Sequence, residues 1–157
     1  MKAFRIADIR HPIFDGYGAF RYGGRWNSPG RFVIYCAETY SGARLEQLVH
    51  LPFGHVPKTQ RVVTIDIPED MACEELVAAD LPRWNAEDQA ASRAFGDRWY
   101  DEKRAVVLIV PSVAAPGERN VLINQHHPDF NQIRATRPAP VIWDERLFMR
   151  PGPEGPV

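Results

Sequence analysis

The spacing of apolar and polar residues along the chain predicts a mixed α+β protein. Strand-like patterns occur at residues 2–6, 32–37, 60–67, 105–110, 120–124 and 140–148. The strand at 105–110 is continuously apolar and mostly β-branched, which is typical of a fully buried strand. Helical periodicity occurs at residues 41–51 and from 85 to about 103. Because strands and helices alternate irregularly rather than as repeated β-α-β units, we expect the α+β class.

The two predicted helices have recognisable ends. Ser41 can cap the first helix, and Pro52 and Gly54 lie where it should stop. Asn85 can cap the second helix, with an aspartate in its third position as a variant of the capping box. Gly96 lies near the middle of the second helix, where glycine lowers helical propensity.

Residues 10–31, between the first two predicted strands, are rich in glycine and predict a long ordered loop. Loops of this length inside compact domains are often functional. The loop contains Gly23-Gly24-Arg25-Trp26-Asn27-Ser28-Pro29-Gly30, which we call the glycine–arginine block. Gly24 allows close approach to the backbone, and the planar guanidinium of Arg25 suits phosphate or carboxylate. An anionic ligand that carries a ring would use this combination.

Length and composition indicate one globular domain. The chain has 157 residues, of which 45% are apolar and 25% charged. We expect one domain over residues 1–150 and a disordered tail over 151–157, which is rich in proline and glycine. No apolar run is long enough to cross a bilayer, and no signal peptide is apparent. Cys36 and Cys73 fit no metal or redox spacing, so we expect a cytoplasmic protein with free thiols.

The balance of charge argues against a protein that binds nucleic acid. Nineteen basic and 20 acidic residues give a net charge of −1, whereas nucleic-acid binders usually carry a basic excess. Arginines do concentrate in the first fifth of the chain, at positions 5, 10, 21, 25 and 31. A small anionic ligand explains this concentration better than a polymer does. We therefore expect no direct nucleic-acid partner and no membrane partner.

Three residues near the N-terminus each admit a structural and a functional interpretation. Arg5 lies on the strand face opposite Phe4 and Ile6, either in solvent or as an anion clamp. Tyr35 lies in an apolar strand, either in the core or as a flat surface that stacks on a ring. Glu46 borders the apolar stripe of its helix. It is either an exposed partner of a residue one turn away or a buried carboxylate that needs a partner.

Candidate polar residues in the second half of the chain are also ambiguous. Ser112 follows the buried strand, where either a turn or a site residue is common. Asn120 and Asn124 flank a short apolar strand and serve either as turn caps or as polar anchors. The adjacent His126 and His127 point apart, and no further ligands complete a shell, so we predict no metal site. Esterase, phosphate-loop and dinucleotide-fold glycine motifs are absent from the sequence.

Taken in order along the chain, these residues resemble the RES-domain family of bacterial toxins, named for an arginine, a glutamate and a serine. The similarity extends from the first strand to about Phe130. It comprises Gly16-Tyr17-Gly18-Ala19, the glycine–arginine block, Val33-Ile34-Tyr35-Cys36-Ala37-Glu38, Leu45-Glu46, Val110-Pro111-Ser112 and Asn120-Val121-Leu122-Ile123-Asn124. The resemblance implies that the three named residues are Arg5, Glu46 and Ser112. Arg25 and Tyr35 match two further site positions.

The resemblance also implies a fold, a substrate and a partner. The fold would be similar to diphtheria-toxin-like ADP-ribosyltransferases, with two small packed β-sheets surrounded by helices. The substrate would be NAD⁺, with no metal, and the partner an antitoxin with an Xre-like helix-turn-helix. The expected catalytic residues are Glu46, Arg5 and Ser112. The expected NAD⁺-binding residues are Arg25, Tyr35, Gly24 and Asn124.

These residue types suit cleavage of the nicotinamide–ribose bond, which passes through an oxocarbenium-like state. Glu46 would orient the ribose and stabilise the developing positive charge. Arg5 and Arg25 would hold the pyrophosphate or ribose through charge-assisted hydrogen bonds. Tyr35 would stack on the nicotinamide or wall it off, and Ser112 would hydrogen-bond the ribose or nicotinamide end.

The sequence leaves the acceptor of the ADP-ribosyl group open. Water, phosphate or a side chain of a protein target would make the enzyme a glycohydrolase, a phosphorolase or an ADP-ribosyltransferase. Two other functions are a ribonuclease toxin and a non-catalytic nucleotide-binding module. Neutral net charge and the lack of an acid–base histidine in the motifs argue against the ribonuclease.

Overall fold

A computed structural model describes residues 1–52 and 54–149 and confirms the α+β class. The strands within these ranges are β1 (Lys2–Asp8), β2 (Val33–Ala37), β3 (Gln60–Asp66), β4 (Cys73–Glu75), β5 (Val107–Pro111), β6 (Arg119–Asn124), β7 (Arg134–Ala135) and β8 (Ala139–Pro140). The α-helices are α1 (Tyr17–Tyr22), α2 (Tyr40–Leu48) and α3 (Ala90–Glu102). Short 3-10 helices occur at Ala78–Asp80, Pro128–Gln132 and Glu145–Leu147. The tail predicted at 151–157 lies outside the described residues.

The strands form one hydrogen-bonded path that is nearly divided in two. The order is β4-β5-β6-β2-β1-β3-β7, with β8 also beside β3. Neighbours are antiparallel, apart from the parallel pair β4 and β5. β1 pairs with β3 along its whole length but meets β2 only where Phe4 faces Ala37. The path therefore consists of two halves, β4-β5-β6-β2 and β1-β3 with β7 and β8.

The main core lies between these two halves. One buried cluster combines Val63 and Ile65 from β3 with Ile34 from β2 and Val121 and Ile123 from β6. Residues from both halves share this cluster, so their inner faces pack against each other. This arrangement matches the two packed sheets that the resemblance implied. We call the face toward this cluster the inner face and the opposite one the outer face.

Helix α3 covers the outer face of the β2, β5 and β6 strands. Trp99 is fully buried against Leu108 and Leu122. A methyl group at Gly96 would meet the carbonyl oxygen of Trp26 at 1.8 Å. The glycine in this helix is therefore explained by close packing, which helical propensity does not report.

Helix α2 packs on the outer face near the junction of the two halves, where Ala43 contacts the cluster that contains Ile6 and Ala37. It begins at Tyr40, and its cap is Thr39 rather than the predicted Ser41. The Thr39 hydroxyl accepts a hydrogen bond from the Gly42 amide at 2.9 Å. Thr39 and Ser41 are both residue types that cap helices well. Which of them serves as the cap depends on where β2 ends, and β2 ends at Ala37.

Three other predictions of secondary structure were wrong in extent. Helix α3 begins at Ala90 instead of Asn85, and residues 81–89 form turns. The long loop at 10–31 contains α1. The strand predicted at 140–148 is reduced to Ala139–Pro140, and its later part contains the 3-10 helix Glu145–Leu147. No helix within residues 1–52 and 54–149 is long and apolar enough to cross a membrane.

Candidate active site

A carboxylate cluster of Glu46, Ser112 and Asn120 forms where α2, the end of β5 and the start of β6 meet on the outer face. The Ser112 hydroxyl donates to Oε1 of Glu46 at 2.9 Å. The Asn120 amide Nδ2 donates to the same oxygen at 2.8 Å. Two donors on one oxygen restrain the rotation of the carboxylate. The structure thus brings together two predicted catalytic residues, Glu46 and Ser112, and Asn120. The sequence had left open whether this asparagine caps a turn or anchors a ligand.

The second oxygen of Glu46 has a different environment. No group in the described ranges donates to Oε2, although the glutamate is half-buried. Ser112 itself is buried, and its hydroxyl also accepts from the Ala115 amide at 3.0 Å. The serine proton is therefore committed to Glu46. The cluster presents one anchored carboxylate oxygen and one oxygen available to a ligand.

Three consecutive residues around the start of β6, Glu118, Arg119 and Asn120, contact α2 and the residues just before it through hydrogen bonds and ion pairs. The Glu118 carboxylate accepts from the hydroxyl of Thr39, the helix cap. Arg119 pairs with Glu38 and, at 2.6 Å, with Glu75. Asn120 follows with its bond to Glu46. The sequence analysis did not identify the roles of Glu118 and Arg119, because their partners are distant along the chain.

A cavity of about 450 Å³ opens beside Ser112, and its lining includes Trp84 and Asn85. Arg25 borders this wall, because its NH1 donates to the carbonyls of Trp84 at 3.3 Å and Ala86 at 2.9 Å. Arg25 thus contacts the backbone of one lining residue, Trp84, and Ser112 is the member of the carboxylate cluster that lines the cavity.

The Tyr35 side chain forms hydrogen bonds with the glycine–arginine block. Its hydroxyl accepts from the Trp26 amide at 3.0 Å and donates to Oδ1 of Asn27 at 2.7 Å. A methyl group at Gly24 would lie 2.5 Å from that hydroxyl, which explains the glycine. Burial raises the pKa of Tyr35, so its phenol stays protonated. The Tyr35 hydroxyl thus holds the block, and the predicted role of the ring, to stack on the nicotinamide or wall it off, stays a prediction.

Within the described ranges, Arg5 makes no hydrogen bond to the carboxylate cluster. Its side chain is on the inner face, because it pairs across the ladder with Val63 of the main core. Its Nε donates to the Ile13 carbonyl and its NH1 to the Tyr35 carbonyl, both at 2.6 Å. Burial lowers its pKa. The guanidinium of this half-buried residue bridges the divergence of β1 and β2 through the carbonyls of Ile13 and Tyr35.

Asn124 is also outside the site that the sequence predicted for it. It is fully buried. Its Nδ2 donates to the Tyr100 carbonyl at 3.1 Å, and its Oδ1 accepts from the His126 amide at 3.0 Å. The amide nitrogen of Asn124 therefore bonds to α3, and its oxygen bonds to the turn after β6. Asn120 and Asn124 look equivalent in sequence, but only Asn120 lies beside α2.

Comparison with known proteins identifies the family. The RES domain model matches residues 2–144. A protein called Toxin Res from Pseudomonas putida is 38% identical over 136 residues, which cover 85% of this chain and 92% of that protein. A protein called Prs ADP-ribosylating toxin from a Sphingobium species is 37% identical over 140 residues, 87% of each chain.

A solved structure shares the fold. The chain aligns with a crystal structure of the M. tuberculosis MbcT-MbcA toxin-antitoxin complex with a TM-score of 0.70 at 20% identity, over 94% of this chain and 86% of that one. With a family model that spans nearly the whole described sequence, and relatives matched over most of their length, this chain belongs to the RES domain family.

Proposed function

We propose that this chain is the toxin of a toxin–antitoxin system and that it cleaves NAD⁺ at the nicotinamide–ribose bond. The names of the relatives support the toxin assignment, and one relative is named for ADP-ribosylation. The observation that carries the chemistry is the carboxylate cluster, in which Glu46 has one oxygen anchored and the other available.

A carboxylate held in this way suits an oxocarbenium-like transition state. Nicotinamide leaves as a neutral molecule, while positive charge develops on the ribose. The free Oε2 of Glu46 would accept a hydrogen bond from a ribose hydroxyl and stabilise that charge. Because Ser112 and Asn120 already orient the carboxylate, little reorganisation is needed during the reaction. Ser112 then acts mainly by positioning Glu46.

The spacing of the outer face supports a dinucleotide substrate. Asn120, which holds Glu46, faces Ala37 across the ladder. Tyr35, which supports the glycine–arginine block, precedes Ala37 by two residues, or about 7 Å along the strand. This is the scale of one ribose with its phosphate linkage. Arg25 and Gly24 of the block would therefore lie toward the pyrophosphate when Glu46 lies at the ribose.

The proposed reaction is tested by incubating the purified chain with NAD⁺ and measuring nicotinamide release. Glu46→Gln should lower the rate by about a hundredfold or more, the scale for loss of a preorganised charge-stabilising group. Glu69→Gln, an exposed carboxylate in the loop after β3, is the matched control and should retain the wild-type rate. A folded Glu46→Gln protein with the wild-type rate would contradict the proposal.

The acceptor is identified by mass spectrometry of the products. ADP-ribose indicates water, ADP-ribose 1″-phosphate indicates phosphate, and a modified protein in added cell lysate indicates a transferase. We propose that an antitoxin with an Xre-like helix-turn-helix inhibits this activity by covering the site. The purified complex should release no nicotinamide, and undiminished release would exclude occlusion of the site.

A further inference from the structure

Two arginines near the glycine–arginine block have no acidic partner in the described part of the chain. Arg25 lies within the block, and Arg93 lies in the first half of α3. Arg31, just after the block, is by contrast paired and bridges Asp97 and Asp101. Arg25 and Arg93 are both partly buried. Two such charges without counter-ions favour the binding of an anion.

Both side chains are oriented by backbone carbonyls, which leave donors unused. The Nε of Arg93 donates to the Gly24 carbonyl at 3.0 Å. The NH1 of Arg25 donates to the Trp84 and Ala86 carbonyls. Within residues 1–52 and 54–149, neither terminal nitrogen of Arg93 nor the Nε and NH2 of Arg25 has an acceptor. The carbonyl bonds fix the two guanidinium groups without neutralising them.

Arg93 is anchored on the residue next to Arg25, and the Tyr35 that supports their block lies on the same sheet face as the carboxylate cluster. Gly24, whose carbonyl accepts the hydrogen bond from Arg93, is the residue immediately before Arg25. Both positive charges act on the Tyr35 phenol: burial raises its pKa and Arg93 and Arg25 oppose that effect, while Asp97, already paired with Arg31 and Ser28, raises it. Tyr35 is one outer-face position along β2 from Ala37, which faces Asn120. An anion held by both arginines would therefore lie beside the proposed ribose position.

We propose that Arg93 and Arg25 form one anion site that binds the pyrophosphate of the dinucleotide. A guanidinium fork matches the paired oxygens of a phosphate, and two forks match two phosphates. Arg93 is a binding residue that neither its own sequence context nor the RES resemblance had indicated. The identity of the ligand rests on the proposed function, whereas the site itself rests on the geometry of the two arginines.

The site is tested first by calorimetric titration of the intact chain with inorganic pyrophosphate at low ionic strength. Arg93→Gln should weaken binding by about tenfold to a hundredfold, as expected for loss of hydrogen bonds to a charged group. Arg25→Gln should weaken it similarly. Arg98→Gln is the matched control, since Arg98 lies in the same helix but is exposed, and it should bind as the wild type does. Thermal unfolding shows whether each variant is folded, and Arg93→Lys, which keeps the charge, provides a second variant.

Steady-state kinetics with NAD⁺ separate binding from positioning. Arg93→Gln should raise KM by about tenfold or more with kcat within about threefold, because uniform binding is removed. Absence of pyrophosphate binding by the wild type, or equal affinity in Arg93→Gln and Arg98→Gln, would overturn the site. Binding that depends on both arginines in a protein that releases no nicotinamide would support the site and contradict the proposed reaction.

Discussion

Glu46 on the outer face and Arg5 on the inner face are both charged residues that the resemblance made catalytic, and the structure treats them differently. Glu46 is half-buried, with both of its hydrogen bonds on one oxygen and the other oxygen available. Arg5 is held by two carbonyls between the sheet halves. A charged group suits chemistry when its neighbours orient it and still leave it an open position. Arg5 instead joins backbone carbonyls at the divergence of the two sheet halves, so we expect its main contribution to be to the stability of the fold.

The largest effect on stability is expected for Arg5→Ala. The substitution leaves the carbonyls of Ile13 and Tyr35 without their donors and opens a gap between β1 and β2. We expect a loss of about 2–4 kcal/mol in the free energy of unfolding, measured by urea denaturation. Nicotinamide release per folded molecule should fall far less than in Glu46→Gln. A hundredfold loss of activity in Arg5→Lys with an unchanged unfolding midpoint would instead place Arg5 in contact with substrate.

On the outer face, Asn120→Asp tests whether the donor amide orients Glu46. The substitution preserves shape but replaces a donor with a second negative charge beside the carboxylate. Because a hydrogen bond to a charged group is lost, kcat should fall by about tenfold to a hundredfold, and more than in Asn120→Ala. Asn131→Asp, at an exposed asparagine, is the control. Equal activity of Asn120→Asp and the wild type would remove Asn120 from the cluster.

A smaller effect is expected for Tyr35→Phe, which changes the contacts of the glycine–arginine block without changing those of the carboxylate cluster. The substitution removes both hydrogen bonds to the block and leaves the ring in place. We expect a loss of about 1–2 kcal/mol in stability and a higher KM for NAD⁺, with kcat little changed. A loss confined to kcat would show that the phenol acts on the reacting ribose.

The smallest effect is expected at Cys36, which is buried beside Arg5 on the inner face. Burial raises the pKa of this thiol to about 12 from an ordinary 9.0, and only the thiolate is readily alkylated. Iodoacetamide at pH 8 should therefore modify the exposed Cys73 alone in the folded protein, as read by mass spectrometry. In the unfolded chain Cys36 ionises near 9, so its contribution to stability should decline from pH 9 toward 12. Labelling of both thiols in the folded protein would show that the inner face opens.

Much of the architecture was predictable because periodicity reports local burial. The buried strand β5 and the helix that carries Glu46 appeared near their predicted positions. The short strands β4 and β7 were missed, since three or two residues show no period. The low helical propensity of Gly96 was a misleading signal. The residue that requires glycine at this position is Trp26, which is far away along the chain.

The composition and order of residues by themselves determined the α+β class, the candidate carboxylate and serine, and the family resemblance. Tertiary structure alone decided which polar groups meet. Ser112 and Asn120 are 66 and 74 residues from Glu46, and pairing of β5 with β6 brings them to one oxygen. Alternation along β1 sends Arg5 to the opposite face, and the turn before α3 gives Arg25 its carbonyl partners. A sequence specifies the side chains and their local periods, whereas distances between them arise only when strands from distant segments align.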